Sequence, residues 1–167
     1  MADRPNAGDP FAELPMDPDV DDLAMIGSPT RPLHLQPSAL ALVFAAGVVG
    51  TLARYGVEVA VPFRSPDWPV ATFLVNLIGA FLLGLVLENL MRRGPDVGAR
   101  RRARLLAGTG FCGAFTTYST FALETVLLTR DGHPAMALAY TMSTVALGAL
   151  AAWAGIVVGA HRTGTAR

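Results

Sequence analysis

Four long apolar runs constrain this chain more than anything else in it, lying at approximately 38–61, 70–90, 105–129 and 134–160. Each meets the roughly 20 residues that a helix needs to cross about 30 Å of hydrocarbon. A soluble core built from 167 residues has no use for four such runs. In hydrocarbon every backbone polar group must be satisfied internally, which leaves helices or a closed barrel, and runs of this length are helical. The expected fold class is therefore an all-α integral membrane protein with four transmembrane helices, and the 52% share of hydrophobic residues agrees.

The third run is unlike the others. Gly110-Phe111-Cys112-Gly113-Ala114-Phe115-Thr116-Thr117-Tyr118-Ser119-Thr120-Phe121 places two glycines and four serine or threonine hydroxyls at membrane depth. A helix is expected to break there only if protein or a polar pathway receives the freed backbone groups. The stretch thus predicts a break in the third helix and an ion or substrate site beside it.

Every basic residue is an arginine, and their placement predicts topology. Arg92, Arg93, Arg100, Arg101, Arg102 and Arg104 share the loop between the second and third runs. Arg4 and Arg31 precede the first run, and Arg162 and Arg167 follow the fourth. With four crossings these ten lie on one side, against Arg64 and Arg130 on the other, so both termini are expected in the cytoplasm of a multi-pass plasma-membrane protein. Residues 1–37 are acidic and rich in proline, and read as a disordered, solvated extension before a channel-sized domain at 38–160 and a short tail at 161–167. They lack the pattern of a signal peptide, so the first helix is expected to act as its own insertion signal.

Several residues inside the runs invite two readings each. Gly47 and Gly50 either permit close helix packing or belong to a site. Arg54 either lines a vestibule or snorkels to the interface. Asn76, the sole amide in the apolar stretch from Ala71 to Gly84, either bonds a neighbouring helix or offers its N–H donors to an anion. Tyr118, Phe121 and Glu124 follow one another at i, i+3 spacing on one face, and this stripe continues out of the polar stretch and ends on a carboxylate. Tyr140, Thr141, Ser143 and Thr144 add hydroxyls at depth as interhelical bonds or pathway lining. Cys112 is the only cysteine, which excludes an internal disulfide, and reads as a small apolar residue. His34, His133 and His161 lie outside the runs and form no metal constellation. No nucleotide-binding loop, nucleophile with its base or paired carboxylates are present, so neither enzymatic activity nor a nucleic-acid partner is expected.

Three segments together resemble the small fluoride channels of the Fluc (CrcB) family. They are Gly47-Val48-Val49-Gly50-Thr51-Leu52-Ala53-Arg54-Tyr55, Thr72-Phe73-Leu74-Val75-Asn76-Leu77-Ile78-Gly79, and the Gly110 to Phe121 stretch, in order on the right helices. The resemblance covers residues 38 to about 160. It implies an antiparallel dimer of four-helix subunits with two narrow pores and a central, structural sodium ion that is not transported. Carried onto this sequence, the backbone carbonyls of Gly113 and Thr116 would hold the sodium. Asn76, Thr117, Thr120, Tyr118 and Phe121 would meet fluoride through amide, hydroxyl and ring-edge donors. Glu124 would lie beside the pathway, Tyr140 and Thr144 would line it, and Arg54 would sit at the vestibule. Tyr118 stands where the family usually has phenylalanine. Its ring keeps an electropositive edge, while the added hydroxyl needs a partner. The implied activity is passive, selective export of cytoplasmic fluoride, which protects the cell.

An antiparallel homodimer needs one sequence to insert both ways, and ten arginines against two argue for a single orientation. The expectation is then pairing with a homologous subunit of opposite bias, set against an antiparallel homodimer. Two other classes remain. A small multidrug exporter of the same architecture would need a membrane-embedded carboxylate, for which Glu124 is the sole candidate at depth, since Glu58 and Glu88 lie near helix ends. A non-transporting membrane scaffold would use the break for assembly.

Overall fold

A computed structural model describes residues 36–164, and they are helical wherever they are regular. The expectation of a disordered extension falls, apart from Gln36 and Pro37, outside the described residues. Helix α1 spans Pro37–Ala60. Pro37 stands at its first position, where a missing N–H costs nothing, and Pro62 follows its end. Helix α2 spans Val70–Arg92 and stops at Gly94, whose φ of 112° is the left-handed conformation a helix end favours. A short helix α3, Gly98–Ala103, leads into a π-helix, Arg104–Cys112, and a single turn, α4, Gly113–Phe115. After two extended residues come α5, Tyr118–Arg130, and α6, Pro134–Gly164.

Three helices, α1, α2 and α6 as far as His161, are long and apolar enough to cross a membrane. The third apolar run does not form one such helix, because the break divides it. The described residues are thus all-helical, with three helices able to span a membrane and one broken helical segment.

Glycines bring the helices together in two pairs. Along α2 and α6, Gly84 lies against the Ala152 carbonyl and Gly155 against the Phe81 carbonyl. A Cβ on Gly155 would also come within 2.9 Å of Leu85 N, and one on Gly159 within 3.0 Å of Leu85 O. Along α1 and the π-helix, Gly50 meets the Phe111 carbonyl, and a Cβ on Gly110 would lie 2.9 Å from Val43 O. Lipid tails are as apolar as leucine, so close van der Waals contact of this kind is what drives helix association in a membrane. Gly50 therefore takes the packing reading.

The expected break falls within the Gly110 to Phe121 stretch. Gly110 itself remains helical, as does Gly113. Neither glycine has positive φ. The interruption falls instead at Thr116 and Thr117, and Gly110 is there for the approach of α1.

At one end of α5 and α6 an aromatic and aliphatic cluster surrounds buried Leu128, Ala137 and Tyr140, with Phe63, Trp68, Phe73, Phe121 and Met136 packed on it. Trp68 meets Phe73 and Tyr140 edge to face, at 5.8 and 5.6 Å between ring centres. The edge of one quadrupole thus rests on the face of the next. This cluster fixes α5 against α6 and so fixes the residues just after the break.

Candidate functional site

The break is made by α2 as much as by the third segment. Thr116 (ψ 157°) and Thr117 (φ −144°, ψ 125°) are extended. Thr116 N still donates to Cys112 O at 3.1 Å, whereas Thr117 N has left the helical ladder. Asn76 meets Thr117 in both directions. Its Nδ2 donates to Thr117 O at 3.1 Å, and Thr117 N donates to its Oδ1 at 2.9 Å. One amide side chain thus stands in for the peptide group that a continuous helix would have supplied.

Thr117 then caps the helix it precedes. Its Oγ1 accepts from Thr120 N at 3.1 Å, an ordinary N-cap bond. The same hydroxyl donates to Thr120 Oγ1 at 3.1 Å and lies 3.3 Å from Ser119 Oγ. Three hydroxyls are therefore gathered at the start of α5 beside the Asn76 amide.

One turn along α5 lies a second polar group. Glu124 is only 5% exposed. Its Oε1 accepts from Thr72 Oγ1 and its Oε2 from Tyr140 OH, each at 2.8 Å. Thr72 and Tyr140 are fully buried. Both carboxylate oxygens are thereby engaged, as a buried polar group requires. Thr144 is buried too, but its Oγ1 donates to Tyr140 O at 2.7 Å, within its own helix.

The aromatic stripe divides. Phe121 turns toward Tyr140, 5.2 Å between ring centres, whereas Tyr118 is 82% exposed. Their own rings remain 6.2 Å apart. The i, i+3 spacing brought them to neighbouring positions without giving them one environment.

Arg54 is neither solitary nor simply snorkelling. Its Nη1 donates to Glu58 Oε1 at 2.9 Å and its Nε to Ala114 O at 3.4 Å. The guanidinium thus lies alongside α4, next to Gly113 and close to the break.

Gly113 and Thr116, named for a cation, have suitable local chemistry. Thr117 N, the partner that a continued helix would give Gly113 O, is taken by Asn76. Thr116 is extended, so its carbonyl leaves the helix direction. Gly113 is exposed, with nothing within 4 Å of where its Cβ would be. Among the described residues no three His, Cys, Asp or Glu side chains are grouped to hold a metal, so backbone oxygens are the donors this region offers a hard cation.

Sequence reasoning did not single out Thr72, Ser119 or Glu58. Two of them left a signal. Thr72 precedes Asn76 by four residues and shares its helix face, and Glu58 follows Arg54 by four, the spacing of a helical ion pair.

Comparison with known proteins gives a consistent result. A family profile described as "CrcB-like protein, Camphor Resistance (CrcB)" matches residues 41–156. A Leifsonia xyli protein named fluoride-specific ion channel FluC 2 is 46% identical over 129 residues, covering 77% of this chain and 88% of its own. Fluoride-specific ion channel FluC 1 of Cutibacterium acnes is 42% identical over 130 residues, 78% of this chain and 90% of its own. The Chlorobaculum tepidum protein named fluoride-specific ion channel FluC is likewise 42% identical, over 120 residues.

Proposed function

This chain belongs to the CrcB family, and from that membership we propose that it is a fluoride-selective passive channel that lets cytoplasmic fluoride leave the cell. The observation that carries the reading is the Asn76–Thr117 pair at a helix broken at membrane depth, with the hydroxyls of Thr117, Ser119 and Thr120 gathered around it. Fluoride is small and strongly hydrated, so its passage needs compact donors that replace water without binding the ion too tightly. The Asn76 amide has a second N–H besides the one given to Thr117. The hydroxyls can turn their protons, and Phe121 and Tyr118 bring ring edges of positive potential. Glu124, held by Thr72 and Tyr140, keeps those two hydroxyls oriented beside the route, and Thr144 lines it from α6. Arg54 draws anions toward the mouth.

The proposed assembly is an antiparallel dimer in which the broken segment supplies the fourth crossing, both termini are cytoplasmic, and the membrane is the plasma membrane. The exposed apolar face of α1, with Phe44, Val48 and Leu52 and a shallow groove running to Ala114, suits a partner subunit. Sodium at the subunit contact would be held by the Gly113 and Thr116 carbonyls and would supply fixed positive charge there. Ten arginines against two favour one orientation for this chain, hence pairing with a homologous subunit of opposite bias. Export needs no coupling: fluoride enters acidic surroundings as neutral HF, ionises inside, and is driven out by the inside-negative potential.

Liposomes loaded with potassium fluoride test the reading. On adding valinomycin, a fluoride electrode should record rapid efflux, and a chloride-loaded control should record none. Efflux from the single chain would favour a homodimer. Efflux only with a homologous partner would favour the heterodimer. Absence of efflux in both would overturn the channel reading.

A further inference from the structure

We propose that Glu58 is a positioning residue that sets how strongly Arg54 attracts anions, an inference that rests on the channel reading. Arg54 touches the broken segment directly, through its bond to Ala114 O. Its guanidinium is shared between the Ala114 carbonyl, which carries no net charge, and the Glu58 carboxylate at 2.9 Å, which cancels it. The two side chains are 23% and 28% exposed. They are thus dry enough for the pair to persist and open enough for the remaining charge to be felt at the mouth. Helical spacing fixes the geometry, since Glu58 lies one turn beyond Arg54 on α1. The pair holds the guanidinium over α4 while it halts what a bare arginine would do, namely concentrate anions at the entrance by its field. An ion channel needs entry to be favourable yet release to remain fast, and a paired arginine meets both requirements better than a free one.

The Glu58→Gln variant keeps an oxygen acceptor for Arg54 but removes the opposing charge. In fluoride-loaded liposomes it is expected to lower the half-saturating fluoride concentration by about 3- to 10-fold, within the range of steering by a local charge. The gain should shrink toward unity as inert salt rises to 1 M, where the screening length falls to about 3 Å. A purely structural role would not produce that salt dependence. Arg54→Gln should raise the half-saturating concentration, and the double variant Arg54→Gln with Glu58→Gln, in which the pair is again neutral, should return close to the wild type. Glu58→Asp, which keeps the charge, should behave as the wild type. The proposal is overturned if Glu58→Gln equals the wild type, if its gain survives 1 M salt, or if the double variant keeps that gain in full. A wild-type protein that conducts no fluoride would instead overturn the channel reading itself, so the two failures are distinguishable.

Discussion

Asn76 holds the break by two hydrogen bonds of opposite sense, and no other side chain type of its size does this. Alanine there would leave the Thr117 N–H without its partner and take one bond from its C=O, which as the N-cap carbonyl also accepts from the first turn of α5. An orphaned buried N–H costs about 1–3 kcal/mol. Asn76→Ala is therefore expected to lower the thermal midpoint of the detergent-solubilised protein and to reduce fluoride efflux by at least about tenfold. Asp at the same position could accept from Thr117 N but could not donate to Thr117 O while ionised, so it should rescue neither fully. An Asn76→Ala protein of unchanged melting temperature and unchanged efflux would remove Asn76 from both roles. The residue was legible as the sole amide in the apolar stretch from Ala71 to Gly84. Its partner was not, because Thr117 lies 41 positions away and nothing local in either sequence specifies that they meet. The carboxylate of Glu124 was visible for the same reason, as a charge at depth. Its donors were not: Thr72 reaches it across 52 positions, and only the four-residue interval to Asn76 hinted that both face the same neighbour.

The elements themselves were largely readable, since length and hydropathy define a spanning helix with little help from context. What the sequence left open at this scale was the meaning of individual glycines. Gly110, within the stretch expected to hold the break, is a contact, because absence of a Cβ serves a close approach and a bend equally well and the sequence does not distinguish them. The π-helix at Arg104–Cys112 also left no periodic signature, as a run apolar on most sides carries little phase. Gly155 and Gly148 separate the two uses of glycine within one helix. A methyl group on Gly155 would be driven into the Phe81 carbonyl and to 2.9 Å from Leu85 N, both backbone atoms that cannot step aside. Gly155→Ala should cost about 1–3 kcal/mol as overpacking and is expected to broaden or lower the thermal transition. A Cβ on Gly148 would meet nothing within 4 Å. Gly148→Ala should be neutral or stabilising by up to about 1 kcal/mol through the loss of backbone freedom in the unfolded chain. Equal melting temperatures for the two variants would show that α2 and α6 do not depend on this close approach.

At the scale of the whole molecule the arginines decide more than the apolar residues do. The loop after α2 is tied together by them: Arg100 donates to Pro95 O at 2.9 Å and to Arg93 O at 2.7 Å, and Arg101 Nε to Asp96 O at 2.9 Å. Those acceptors are carbonyls, so the bonds order the loop without neutralising it. Glu88 opposes part of its charge through Arg92, and Asp96 through Arg104. A loop that stays cationic resists transfer across the membrane, which is the physical basis for expecting one orientation. The bias can be reduced without touching the site. Arg93→Gln and Arg102→Gln alter exposed side chains, and Asp67→Arg with Asp131→Arg adds two arginines to the opposite loops. The balance then changes from ten against two to eight against four. Accessibility labelling of a terminal tag in intact cells should report the wild-type chain almost entirely with its termini inside, and the fourfold variant with a measurable fraction outside. If the wild type already shows both orientations in comparable amounts, the charge argument for a heterologous partner fails and the antiparallel homodimer becomes the assembly of this chain.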